Sequence, residues 1–196
     1  MQYLSLFLTG MLQITTDQQY DHVVAVCREI FTNKTNDYGT SWRVYRPISI
    51  ADQIYIKAKR IRNIQEKRIQ KVLDDARGEF TGIFNYAIIG LIQLELPREN
   101  PEELNPQEAI IFYDEKKAVV KNLMENKNHD YGEAWRDMAQ ESFTDLILAK
   151  VLRIKQIIKN DGKTAISEGI DSNYIDIANY AAFALILSEE TTKLQV

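Results

Sequence analysis

The chain repeats itself. Asn33-Lys34-Thr35-Asn36-Asp37-Tyr38-Gly39-Thr40-Ser41-Trp42-Arg43 returns as Asn126-Lys127-Asn128-His129-Asp130-Tyr131-Gly132-Glu133-Ala134-Trp135-Arg136, at an offset of 93 residues. From Tyr20/Tyr113 to Arg62/Lys155, 17 of 43 positions are identical, among them Ser49/Ser142, Asp52/Asp145, Lys57/Lys150 and Arg60/Arg153. After a one-residue slip, Asn85-Tyr86-Ala87 aligns with Asn179-Tyr180-Ala181. Self-similarity at a fixed offset means one supersecondary unit used twice, so both copies must satisfy the same fold.

Each copy reads as three helices. The first runs from about Asp17 to Thr32 and again from about Pro106 to Glu125. Asn105-Pro106-Gln107-Glu108 is a helix start, with Asn as N-cap, Pro in the first turn and Glu three residues on. A loop holding Asp-Tyr-Gly follows, and Gly39 and Gly132 are suited to a left-handed turn there. The second helix opens at Ser49 or Ser142, each followed three residues later by an acid, Asp52 or Asp145, as in a capping box. Its apolar stripe is Ile54, Ala58, Ile61 and Ile64 in one copy and Ile147, Val151, Ile154 and Ile158 in the other. The third helix, Phe80 to Leu96 and then Tyr174 to Leu187, is apolar almost all round and is expected to be the most buried. No segment shows strand alternation. The expectation is an all-α fold: a tandem duplication of a three-helix unit, with a first repeat over 17–96, a linker over 97–106 that holds three of the four prolines, and a second repeat over 107–190. The third helices carry more apolar surface than one copy covers. The repeats are therefore expected to pack face to face around one core, as a pseudo-twofold helical bundle equivalent to a homodimer fused into one chain. Further homo-oligomerisation is left open.

Composition narrows the chemistry. At 196 residues, 45% hydrophobic and 27% charged, the chain is globular. Its net charge of −4 argues against a general nucleic-acid coat protein. The basic run Lys57, Lys59, Arg60, Arg62, Lys67, Arg68 and Lys71 reads as a solvated helix face. One cysteine, Cys27, allows neither an internal disulfide nor a zinc knuckle, and two histidines leave a hard ion such as magnesium, held by oxygen, as the expected metal. No apolar stretch reaches the ~20 residues of a membrane span. The start, from Met1 to Gly10, lacks a basic region and a small-residue cleavage site; Met11 is an alternative start, and the cytoplasm is the default location.

The repeated polar residues ask for a reason beyond packing. Lys57 and Arg60 share a helix face, as do Lys150 and Arg153. Together with Lys34 and Lys127 they suit an anion such as a nucleotide phosphate; the plainer alternative is a salt-bridge network with Asp37 and Asp130. Arg43 and Arg136 are retained beside Trp42 and Trp135, which read as loop anchors. In the second copy Asp176, Asn179 and Tyr180 share one helix face. Asp176 lies in an apolar stretch and needs a partner, while Glu168 and Asp171 stand just before it. The three acids are candidate ligands for one magnesium ion, and helix-dipole complementation is the alternative for Glu168 and Asp171. In the first copy Asp74 stands opposite Glu168, Arg77 replaces Asp171, Gly82 replaces Asp176 and Glu79 stands opposite Asn173. That copy keeps its cations and Asn85 but is expected to be degenerate in its acids.

The pattern Lys-x-x-Asp-Tyr-Gly-x-x-Trp-Arg, then Lys-x-x-Arg, then Glu-x-x-Asp-x-x-x-x-Asp-x-x-Asn-Tyr-Ala resembles the nucleotide modification associated domain 1 family, a domain of unknown function, over roughly Tyr20–Glu95 and Tyr113–Glu190. That family is similar in turn to MazG-like, all-α nucleoside triphosphate pyrophosphohydrolases. The resemblance implies that Glu168, Asp171 and Asp176 are catalytic metal ligands for magnesium. It implies that Lys127, Lys150 and Arg153 bind phosphates, with Asp130 and Asn179 as further polar contacts. The enzymes' first Glu-x-x-Glu pair is absent, since the region reads Ala149-Lys150-Val151-Leu152-Arg153. Two functions are therefore carried forward: a magnesium-dependent nucleotide pyrophosphohydrolase, and a non-catalytic nucleotide-binding or sensing module.

Overall fold

The computed structural model describes residues 15–67, 76–97, 103–164 and 168–193. Asp74, Arg68, Lys71, Pro101 of the linker and both candidate start methionines lie outside them. Among the described residues there are six α-helices and no strand: α1 (Thr16–Tyr38), α2 (Pro47–Lys67), α3 (Ala76–Glu95), α4 (Pro106–Tyr131), α5 (Gln140–Lys159) and α6 (Ile170–Lys193). Short 3-10 turns over Ser41–Val44 and Ala134–Asp137 follow α1 and α4. The all-α expectation and the repetition of the three-helix unit both hold.

Local chemistry sets the helix ends. Asn105 caps α4 with the reciprocal Glu108 bond and Pro106 in its first turn, as expected, and Thr15 with Gln18 makes the same box on α1. Both helices run further than expected, because nothing breaks them before the glycines. Asp37-Tyr38 and Asp130-Tyr131 therefore form last helical turns rather than loops. The helices stop at Gly39 and Gly132, whose positive φ values of 69° and 59° a side chain would resist. The second helices start two residues earlier than the serine boxes predicted. Pro47 opens α2, its fixed φ suiting a first turn, and α5 follows Ala139 with no side-chain cap. Asp52 and Asp145 consequently do not cap; they point to the other repeat.

The buried side chains form one contiguous cluster drawn from both repeats. Its centre is the packing of α3 against α6, helices with too much apolar surface for a one-faced helix. Gly90 sits in that seam, and a Cβ there would lie 2.6 Å from the Tyr174 ring. Around it the two repeats make equivalent bonds in both directions. Tyr20 donates to Asn179 and Tyr113 donates to Asn85, each at 2.7 Å. The Asn179 amide then donates to the Val120 carbonyl and the Asn85 amide to the Cys27 carbonyl. Asp21 binds Lys121, while the equivalent Asp114 takes both arms of Arg28 at 2.7 Å. Asp52 binds Lys155, and the equivalent Asp145 binds Arg62. Each contact is made twice with partners exchanged, the pattern an isologous dimer interface has.

Candidate functional site

In the second repeat, α6 carries Asp176 into the interior with its side chain only 7% exposed. An isolated carboxylate there would be costly. Two ammonium groups compensate it: Lys127, from the end of α4, reaches Oδ1 at 2.7 Å, and Lys150, from α5, reaches Oδ2 at 2.5 Å. Burial pulls the Lys127 ammonium down, but the bond to Asp176 and its charge outweigh that and hold it above its ordinary value. Glu168 is exposed and stands 3.9 Å from Lys150. Asp171 is exposed on the first turn of α6. Arg153 is exposed as well, and forms no ion pair with a described residue. Of the three expected metal ligands, only Asp176 is buried, and both of its oxygens already face cations. As arranged, the set does not fit a magnesium ion, which would have to displace both lysines.

The first repeat is not degenerate in the way its alignment suggests. Gly82 replaces the central acid, but Glu79, one helical turn earlier on α3, is buried in its stead. Lys57 binds it at 3.1 Å, and Arg60, the counterpart of Arg153, binds its other oxygen. The Lys57 stem lies across Gly82, where a Cβ would come within 2.8 Å of it. Moving the acid back one turn has a second effect. Lys34, the counterpart of Lys127, makes no ion pair with any described residue and is exposed.

Beside Lys34 a cleft of about 450 Å³ opens between α1, α2 and α3. Among the described residues, Lys34 and Lys57 are its charged lining residues. Tyr38, Trp42, Tyr45 and Tyr86 supply aromatic walls, and Gly78, Thr81 and Gly82 supply the room. Tyr45 and Tyr86 stack with ring centres 6.5 Å apart. Burial, with the neighbouring Tyr45, pushes the Tyr86 hydroxyl up to about 12, so it stays a proton donor at neutral pH. The Trp42 indole N–H is buried with no hydrogen-bond partner among the described residues. Larger residues stand at the equivalent places in the second repeat, with Ile175 for Thr81, Asp176 for Gly82 and Phe183 for Ile89. Phe183 stacks on Trp135 at 4.3 Å.

The remaining expected site residues fall elsewhere. Asp37 and Asp130 are exposed, and the salt-bridge network expected between them and the repeated cations is not formed; Asp130 lies 3.2 Å from His129 instead. Asn85 and Asn179 carry the bonds between repeats described above, although Asn85 also lines the cleft. Arg43 is buried against Gln93 and the Pro97 carbonyl. Arg136 lies over the Trp135 ring at 4.3 Å and bonds Glu133, Glu190, Thr16 and Gln19. Trp42 and Trp135 do anchor their loops. Sequence reasoning missed Glu79 and the three tyrosines. The signal for Glu79 was present: the first copy has an acid where the second has Asn173, and a glycine one turn later where the second has Asp176.

No curated protein and no solved structure matches the chain. No helix among the described residues is long and apolar enough to cross a membrane. The family model described as nucleotide modification associated domain 1 matches twice, over residues 34–94 and 127–187, spanning in each copy the Lys-x-x-Asp-Tyr-Gly turn, the ion cluster and the inward-facing asparagine. The chain belongs to the nucleotide modification associated domain 1 family, in tandem form.

Proposed function

We propose that the first repeat binds a nucleotide in the cleft beside Lys34, and that the chain is a nucleotide-binding or sensing module. One observation carries the reading: the Lys34 ammonium, which has no carboxylate partner among the described residues, stands at a cleft walled by tyrosines and a tryptophan. Cations at such a place favour phosphate, and aromatic faces favour a flat ring. A volume of about 450 Å³ is within the usual range for small-ligand sites. A free nucleotide in the cytoplasm, rather than nucleic acid, is the partner this cleft suits. The reciprocal contacts support reading the bundle as pseudo-twofold and MazG-like. The alternative, a magnesium-dependent pyrophosphohydrolase, rests on the resemblance to MazG-like enzymes and would require Lys127 and Lys150 to release Asp176.

A nucleotide panel with and without magnesium separates the two. Heat stability and release of phosphate or pyrophosphate are followed together. The expected result is a rise in melting temperature with a subset of nucleotides, unchanged by magnesium and without release. Lys34→Ala is expected to abolish most of that rise. Magnesium-dependent release, lost in Asp176→Asn, would replace the binding reading with the enzyme.

A further inference from the structure

We infer that Tyr45 selects for the base of the bound nucleotide: with Tyr86 it forms the aromatic wall on which the ligand's flat ring lies. The inference rests on the nucleotide reading above and deepens it by assigning the ring to one end of the cleft. The two repeats supply the comparison. Tyr38, Trp42 and Tyr86 line the cleft, and the second repeat keeps a like ring at each place, in Tyr131, Trp135 and Tyr180. At the place of Tyr45 it has Met138. Phe31, opposite Met124, also lines the cleft, but it is buried and stacked on Tyr113 at 4.4 Å. Room alone, from Thr81, Gly82 and Ile89, would suit any small anion. The repeat that has the room also has the additional half-buried ring, and a ring face is what a flat ligand uses.

The wall is held from behind. The Tyr45 N–H donates to the Trp42 carbonyl at 3.0 Å, and the Tyr45 carbonyl accepts from the Gln93 amide at 3.4 Å. The Tyr45 and Tyr86 side chains are hydrogen-bonded to each other, with their ring planes 28° apart. The lysine end of the cleft lies one step away. Lys34 and Tyr38 are four residues apart on α1, as are Gly82 and Tyr86 on α3, so each helix passes from one end to the other in about one turn, ~5.4 Å. The Lys57 ammonium belongs to the Gly82 end, 3.1 Å from where a Cβ on that glycine would stand. A sugar fills a span of that order between a base and its first phosphate.

The test is calorimetric titration of the full chain with the mono- and triphosphates of each common nucleoside. Each is set beside a base-free match, ribose 5-phosphate or inorganic triphosphate. Loss of base absorbance on binding is a second readout, specific to stacking. The native chain is expected to bind at least one nucleotide tenfold or more tighter than its match, with that loss. Tyr45→Met installs the residue that the same motif carries in the second repeat. It is expected to remove most of the tenfold advantage and the absorbance change, while leaving the base-free match unchanged. Tyr45→Phe, which keeps the ring, is expected to restore both. A Tyr45→Met chain that keeps the nucleotide's advantage overturns the inference and leaves the nucleotide site standing. Equal weakening of nucleotide and match, or a Tyr45→Phe chain no better than Tyr45→Met, overturns it in the same way. A native chain that binds every nucleotide no tighter than its match, or binds none of these ligands, overturns the nucleotide reading beneath it.

Discussion

Asp176 and Glu79 bring the same charge into similar surroundings from positions one helical turn apart. Each is held by two cations. Lys150 is only 12% exposed, so Asp176→Ala strands an ammonium in the interior. The other partner, Lys127, is 46% exposed and can turn to water. The expected cost is therefore below that of a fully buried pair, about 2–3 kcal/mol, measurable by urea unfolding. Cys27 offers a simpler check on the core. It is fully buried, and burial pushes its thiol up to about 12. The thiolate is the reactive form. Cys27 is thus expected to resist a thiol reagent at pH 8 in the native chain and to react at once in denaturant.

At the scale of elements, α3 and α6 differ by a relocated acid. Transplanting the α6 pattern into α3 tests whether that relocation opens the cleft. Glu79→Asn alone removes the carboxylate from Lys57 and Arg60. Adding Gly82→Asp returns one where Lys34 can also reach it. The double variant is expected to be more stable than Glu79→Asn by about 1–3 kcal/mol, the coupling usual for residues of one network. It is also expected to lose nucleotide binding, since Lys34 becomes committed. Calorimetry and denaturant melts on the four chains of the cycle measure both. The helices themselves were legible in the sequence because their rules are local: the Asn105-Pro106 start, the spacing of Ile54, Ala58 and Ile61, and the glycines at the turn. The serine boxes at Ser49 and Ser142 misled because Pro47 had already opened α2 and because Asp52 and Asp145 had partners across the repeat boundary. The cleft was not legible. Whether an acid meets a lysine depends on how helices from distant parts of the chain face one another, and aligning the copies column by column hides a carboxylate that has moved by a turn.

Across the whole molecule, acid should act first where the repeats meet. The Arg28 bond holds the Asp114 carboxyl below its usual 3.8. Thr16 first and then Arg136 hold Glu133 below 4.5. The Arg28–Asp114 and Thr16–Glu133 contacts tie α1 to the second repeat. A carboxyl with a depressed folded value adds stability that is complete above its unfolded value and is lost as pH falls through the folded one. Denaturation midpoints are therefore expected to be level down to about pH 5 and to fall below it. Asp114→Asn is expected to flatten that decline, as urea melts at a series of pH values will show. The exchanged bonds have a further consequence. In a true homodimer every substitution is made twice, so a change that opens one site opens its twin and weakens both halves together. Joined in one chain, the halves are free to diverge: Glu79 and Gly82 can vacate space in one while Asp176 seals the other. The sealed half then serves as a brace, and a single opening can be shaped without loosening the support it leans on.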